Sequence, residues 1–169
     1  KKLQSFLSTN TLRLYSSNDP IGVQLGGALK NVIAISCGIS VGLNLGESAK
    51  ASLMIRGFSE IHSIAVKLGA KKRTLLGLSG FGDLALTCNS EKSRNFTVGV
   101  QISRRELVLD SNHQSKTIEG IKTAEATLKI ARTLEIDMPV FDAVTKVFRG
   151  AITPQEAADL LLQRPLRVE

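Results

Sequence analysis

Apolar positions recur along most of the chain at spacings of three and four, the period of one helical face. The clearest stretch runs from Glu47 to Leu68, where Met54, Phe58, Ile61, Ala65 and Leu68 share a side and Gly69 stands where a C-terminal cap belongs. Ile121, Ala124, Leu128 and Ala131 repeat the pattern. Met138-Pro139 then opens a helix that Gly150 closes. Thr153-Pro154-Gln155-Glu156 starts the last helix with a capping residue, a proline at the first helical position and a capping-box glutamate. Leu160 to Leu162 buries that helix, Lys71 to Leu78 reads as a short one, and Asp110 to Lys116 reads as a polar surface loop. At the N-terminus the pattern differs. Lys1 to Tyr15 begins without Met, and Leu12 and Leu14 alternate with polar neighbours as a strand would, before Ser16-Ser17-Asn18-Asp19-Pro20 offers turn and N-cap side chains. A single strand has no sheet to join. Residues 1–18 are therefore expected to be the tail of a preceding domain that is absent here, and residues 19–169 one all-α domain.

Ile21 to Leu45 is apolar yet rich in glycine, with Gly22, Gly26, Gly27, Gly38 and Gly42, and Gly46 follows. A glycine inside a helix costs about 1 kcal/mol against alanine, so close backbone approach to another element or to a ligand is expected here. Ser79-Gly80-Phe81-Gly82 reads as a tight turn whose two glycines take backbone angles closed to other residues.

Composition narrows the choice of function. The 169 residues suffice for one domain with a sizeable core, and aromatics make up only 4%, so aliphatic side chains and alanine must fill it. That favours packed helices over a sandwich. The net charge of +7 attracts anions, but the basic residues fall in short clusters such as Lys71-Lys72-Arg73 and Arg104-Arg105, with one Tyr and no Trp. A nucleic-acid surface would show a continuous basic face with stacking aromatics, so a small phosphorylated ligand suits the charge better. Cys37 and Cys88 lack metal-ligand spacing and read as reduced thiols of a cytoplasmic protein. Neither His62 nor His113 has a ligand set beside it, so no metal site is expected. No signal peptide is visible and no apolar run reaches bilayer length; Val32 to Val41, interrupted by Ser36, Gly38 and Ser40, reads as a buried helix.

Three stretches carry more than packing. Gly26-Gly27-Ala28-Leu29-Lys30-Asn31 sets a lysine and an asparagine in a greasy helix. Snorkelling to solvent is one role for that lysine; donating a proton or polarising a carbonyl at a closed site is the other. Asp83 follows the glycine turn at a helix start, where an N-cap role is the plain alternative, and Thr87 lies four residues on, on the same face. Ser93-Arg94-Asn95 offers hydroxyl, guanidinium and amide to a phosphate, strengthened by free backbone amides if a helix begins there.

Taken together, these stretches resemble the NAD(P)-dependent glycerol-3-phosphate dehydrogenase family. Gly22-Val23-Gln24-Leu25-Gly26-Gly27-Ala28-Leu29-Lys30-Asn31-Val32-Ile33-Ala34-Ile35 is similar to the family's signature at the entry to its C-terminal domain. Arg56-Gly57, Asp83-Leu84, Leu86-Thr87-Cys88, Ser93-Arg94-Asn95, Thr117-Ile118-Glu119-Gly120, Met138-Pro139 and Leu162-Gln163-Arg164-Pro165-Leu166 follow in the family's order. Ser79 and Phe81 in the turn, and Phe96-Thr97 after Asn95, depart from it.

The resemblance implies a helical bundle like the C-terminal domain of 6-phosphogluconate dehydrogenase. It also implies interconversion of sn-glycerol 3-phosphate and dihydroxyacetone phosphate with NAD or NADP, feeding glycerophospholipid synthesis. By the same resemblance Lys30 is the catalytic lysine, and Asp83 and Thr87 hold it and the substrate hydroxyls in register. Asn31, Ser93, Arg94 and Asn95 bind substrate, while Arg94, Thr117 and Glu119 contact the cofactor. The strand-borne GxGxxG fingerprint is absent from the chain. The cofactor is thus expected mainly on a missing Rossmann domain, and the chain alone is expected to be folded but catalytically silent. The glycine-rich segment around Gly26 and Gly27 would pack against that domain. The reading also admits a homodimer. Two rivals remain: a partner domain of a related β-hydroxyacid dehydrogenase or ketopantoate reductase, which has less need of a phosphate cradle, and a non-catalytic helical module. Convergence of Lys30, Asp83 and Arg94 separates the enzyme readings from the module.

Overall fold

The computed structural model describes residues 2–106 and 118–163, and over these it contains helices and no strand. In chain order the helices are α1 (Lys2–Leu7), α2 (Pro20–Gly42), α3 (Glu47–Lys67), α4 (Lys72–Leu75), a π-helical turn (Leu78–Gly82), α5 (Asp83–Cys88), α6 (Arg94–Ser103), α7 (Ile118–Thr133), α8 (Pro139–Phe148) and α9 (Pro154–Leu162). The expected polar loop from Asp110 to Lys116, with His113, and the closing Arg164-Pro165-Leu166 lie outside the described residues.

The centre of the fold is α2. Val32, Ile33, Ala34, Ile35 and Cys37 are wholly buried, and α3, α5, α6, α7 and α8 all pack around this helix. Its 23 residues are long and apolar enough to cross a membrane, contrary to the expectation that no run reaches that length. Glycine, alanine and serine let the apolar stretch continue past Lys30, and 67% of the qualifying window is buried inside the fold. The length serves a core helix whose stretch from Val32 to Ser40 is enclosed by its neighbours.

Most of its glycines are sites of close approach. A Cβ on Gly38 would collide with the Phe96 carbonyl oxygen, and one on Gly99 with that of Ile35. At Gly42 it would lie 2.7 Å from the Ser103 side chain. Thus α2 and α6 touch backbone to backbone. On the other side Gly57 of α3 receives the Ile33 side chain, which gives the Arg56-Gly57 pair a packing reason.

Helix ends follow the sequence signals. Asp19 is the N-cap of α2, its carboxylate accepting from Gly22 N–H at 3.0 Å. Thr153 and Glu156 form the expected capping box on α9. Gly69 (φ +98°) and Gly150 (φ +65°) end α3 and α8 in Schellman geometry, with Ala70 N–H bonded to Ala65 C=O and Ala151 N–H to Lys146 C=O. Glu60 fastens α3 to α8, its buried carboxylate accepting from the Val140 and Phe141 N–H groups at 2.8 and 3.2 Å.

The N-terminal strand is not formed. Residues 2–7 are the helix α1, and no regular structure spans Leu12 and Leu14. A strand without a ladder leaves its backbone groups unpaired. Here Thr9 Oγ1 accepts from Leu12 N–H, Ser8 Oγ accepts from Leu14 N–H, and Gln4 Nε2 donates to Leu14 C=O.

Candidate functional site

Lys30 lies in the N-terminal half of α2, ahead of the fully enclosed turns. Its Nζ donates to Asp83 Oδ2 at 2.5 Å, and the two side chains are 19% and 35% exposed. The lysine therefore does not snorkel free; it is held by a carboxylate at the edge of the core. Asp83 in turn makes no capping hydrogen bond at the head of α5. Its charge faces the lysine.

The π-helical turn delivers Asp83 to that place. Gly80 and Gly82 do not have positive φ, contrary to expectation. Gly80 is required for space instead, because a Cβ there would strike the Leu75 carbonyl oxygen, and a Cβ on Gly26 of α2 would likewise lie only 2.8 Å from Ser79 O. Phe81 anchors the turn edge-on against Phe58 of α3, ring centroids 5.1 Å apart. Phe58 also touches His62, a partly exposed ring in a packing role.

Thr87 lies one turn beyond Asp83, as the spacing requires, and its hydroxyl donates to the Asp83 backbone carbonyl at 2.6 Å. With that proton engaged, Thr87 Oγ1 can only accept from a ligand. The far end of α5 is fastened as well. Cys37 Sγ donates to Lys50 C=O at 3.8 Å, and the buried Cys88 thiol lies beside it. The neighbouring Cys37 sulfur, then burial, pushes the Cys88 thiol far above its ordinary value, while its nearness to Cys88 lowers that of Cys37. Sequence inspection missed this pairing because the two cysteines are far apart in the chain. The placing of Asp83 and Cys88 on one short helix, opposite Lys30 and Cys37 two turns apart on α2, is the signal that could have found it.

The second cluster heads α6. Ser93 is its N-cap, with Oγ accepting from Phe96 N–H at 3.4 Å, so the helix start expected at Ser93-Arg94-Asn95 is present. Arg94 is exposed, and among the described residues it makes no hydrogen bond or ion pair. Asn95 is half-buried and likewise without a hydrogen-bond partner among them, as is Asn31 on α2. A Cβ on Gly120 of α7 would lie 3.3 Å from both Asn95 Oδ1 and Ile35 Cδ1, which places Asn95 beside α2 one to two turns beyond Lys30. Gly120 is a site neighbour that sequence reasoning quoted only as part of a motif. Glu119 lies in the first turn of α7, and Thr117 is outside the described residues. Among the described residues no group of three or more His, Cys, Asp or Glu side chains is placed to hold a metal.

The chain and its fold have counterparts. The family model described as NAD-dependent glycerol-3-phosphate dehydrogenase C-terminus matches residues 19–159. The chain belongs to that family. Among curated proteins, the glycerol-3-phosphate dehydrogenase [NAD(P)+] of Ruegeria sp. (strain TM1040) is 50% identical over 100% of the chain and 52% of its own length. That of Paracoccus denitrificans is 48% identical over 99% of the chain, again 52% of its length. The chain thus spans about half the length of the curated relatives it matches. The solved glycerol-3-phosphate dehydrogenase of Coxiella burnetii superposes with a TM-score of 0.87 at 36% identity, covering 96% of this chain and 50% of that one. Within the glycerol-3-phosphate dehydrogenase C-terminal family, the all-α bundle is the shared fold.

Proposed function

We propose that this chain is the substrate-binding, acid–base half of an NAD(P)-dependent glycerol-3-phosphate dehydrogenase, interconverting dihydroxyacetone phosphate and sn-glycerol 3-phosphate. The observation that carries the reading is the Lys30–Asp83 pair, half-covered on α2, in a member of this family. At the start of α6, Arg94 and Asn95 have no hydrogen-bond partner among the described residues, and they add a second group of donors, with Asn95 beside the same helix.

In this reading the substrate phosphate sits at the head of α6, where backbone amides, the helix dipole and the Arg94 guanidinium all favour a dianion. The carbonyl oxygen lies against Lys30 Nζ. As hydride reaches the carbon, Lys30 gives a proton to the developing alkoxide; in the other direction it takes the hydroxyl proton. Asp83 keeps the ammonium aimed, Thr87 Oγ1 can accept from a substrate hydroxyl, and the Asn31 amide, without a partner among the described residues, can meet another. When bound, the nicotinamide cofactor supplies or accepts the hydride. Among the described residues no strand–glycine loop–helix unit is present, and that is the arrangement which cradles a dinucleotide pyrophosphate. The cofactor is accordingly held mainly by a companion domain, with Arg94, Thr117 and Glu119 contributing from this side. The buried free thiols suit a reducing, cytoplasmic setting.

The test is oxidation of NADH or NADPH by dihydroxyacetone phosphate in the complete enzyme, comparing Lys30→Met with the unsubstituted protein. Loss of a proton donor at the reacting oxygen lowers kcat by about 10²–10⁴. A variant with near-normal kcat would refute the role of Lys30, and turnover by the present chain alone would refute the division of labour.

A further inference from the structure

Five glycines lie within α2, and four have a reason inside this chain. A Cβ on Gly22 would strike the Asp19 carboxylate, on Gly26 it would meet Ser79 O at 2.8 Å, on Gly38 it would collide with Phe96 O, and on Gly42 it would meet Ser103 at 2.7 Å. Among the described residues Gly27 has none: a Cβ there would find nothing of them within 4 Å, and its φ is not positive. It is only half-buried, in a helix interior where alanine is the favoured residue. A helix that carries glycine where its own fold would accept a side chain keeps that space for something outside the chain.

The position of Gly27 indicates what that is. It is one turn before Lys30 and Asn31, on the side of Lys30 away from Asn95, which lies near Ile35. Along α2 the order is therefore Gly27, then Lys30, then the α6 cluster, with about 4.5 Å of rise over the first interval and about 7.5 Å over the second. A short phosphorylated ketone laid along the helix presents its groups in the same order: the unphosphorylated end, the carbonyl, the phosphate. We infer that Gly27 is a specificity-determining position, whose missing side chain makes room for the hydroxymethyl end of the substrate beyond the carbonyl held by Lys30. The inference rests on the proposed function and adds to it the direction in which substrate lies and the residue that limits its far end.

The experiment is Gly27→Ala in the complete enzyme, followed by thermal unfolding and by kinetics with two acceptors. One is dihydroxyacetone phosphate; the other is glycolaldehyde phosphate, which keeps phosphate and carbonyl but lacks the hydroxymethyl group. The expected result is a Tm unchanged or raised by up to about 2–4 °C, since the methyl meets nothing in the chain and favours helix. With it comes a rise in KM of about tenfold or more for dihydroxyacetone phosphate and little change for glycolaldehyde phosphate. Equal losses for both acceptors, a rise confined to the KM for the nucleotide, or no change with either would overturn the inference while leaving the activity intact. A lowered Tm would overturn it too, by showing that the glycine serves packing, within this chain or against the companion domain, and not the substrate. No turnover by the unsubstituted protein would remove the proposed function itself, and this assignment with it.

Discussion

At the scale of single residues, the chain uses its buried carboxylates to place helix ends. Asp19 is 4% exposed and accepts from Gly22 N–H and from Lys71 N–H, at 3.0 and 2.9 Å, so that one side chain ties the start of α2 to the start of α4. The Gly22 hydrogen bond first, then that of Lys71, hold its carboxyl below the ordinary 3.8 against an opposing push from burial. A carboxylate with a lowered folded pKa stabilises the fold wherever both states are ionised. As pH falls below 3.8 the unfolded chain takes up the proton first, and the contribution is lost as pH drops through the folded value. Asp19→Asn should therefore be less stable than the native chain at neutral pH and show a shallower fall in stability between pH 5 and pH 2, an interval that brackets the 3.8 reference value. Denaturant unfolding at a series of pH values checks both parts, and parallel curves for the two proteins would contradict the assignment.

The candidate residues were legible to different degrees. Lys30, Asp83 and Thr87 stood out because a charge in an apolar helix and a carboxylate behind a glycine turn are chemically conspicuous. What their letters did not reveal is how Asp83 reaches Lys30. That depends on a π-helical turn whose glycine is needed for contact with Leu75 rather than for its backbone angles, a distinction visible only once α4 is in place.

At the scale of elements, the site is positioned by how closely helices pack. Gly38 and Gly99 bring α2 and α6 into backbone contact, which fixes Arg94 and Asn95 relative to the turns that bear Lys30. Gly38→Ala would drive a methyl into the Phe96 carbonyl, a backbone atom that cannot rotate away. The expected cost is about 1–3 kcal/mol, as for other overpacked cores, and a Tm lower by several degrees. Gly27→Ala, on the same helix, is expected to move Tm the other way or not at all. Equal gains at both positions would mean that the glycines act through helix propensity and not through contact.

Helix periodicity carried most of the elements through, since α3, α7 and α8 each bury one face; α9 has its expected start, but Leu160 and Leu162 stand exposed rather than burying it, because only Ala157 of that helix is enclosed. The misreading at Leu12 and Leu14 has a definite cause. Two alternating leucines satisfy a strand pattern, but backbone pairing decides whether a strand exists, and here Thr9, Ser8 and Gln4 satisfy those groups locally.

At the scale of the molecule, the apolar centre is organised on α2, and the Lys30–Asp83 pair and the polar groups without a partner among the described residues, Asn31, Arg94 and Asn95, lie toward its N-terminal half and the head of α6. The net charge of +7 then favours approach of an anionic ligand before any specific contact forms. The fold class followed from composition and period. The joining of Lys30, Asp83 and the α6 cluster along one helix did not, because it depends on which helices neighbour α2.

That joining is the central claim, and titration with sn-glycerol 3-phosphate, followed by backbone amide resonances, tests it most directly. Shifts gathered at Ser93–Phe96 and around Lys30 and Asp83, with affinity reduced at least tenfold in Arg94→Ala, are the predicted result. Shifts located elsewhere, no shifts at millimolar ligand, or equal affinity in Arg94→Ala would contradict a phosphate site at the head of α6.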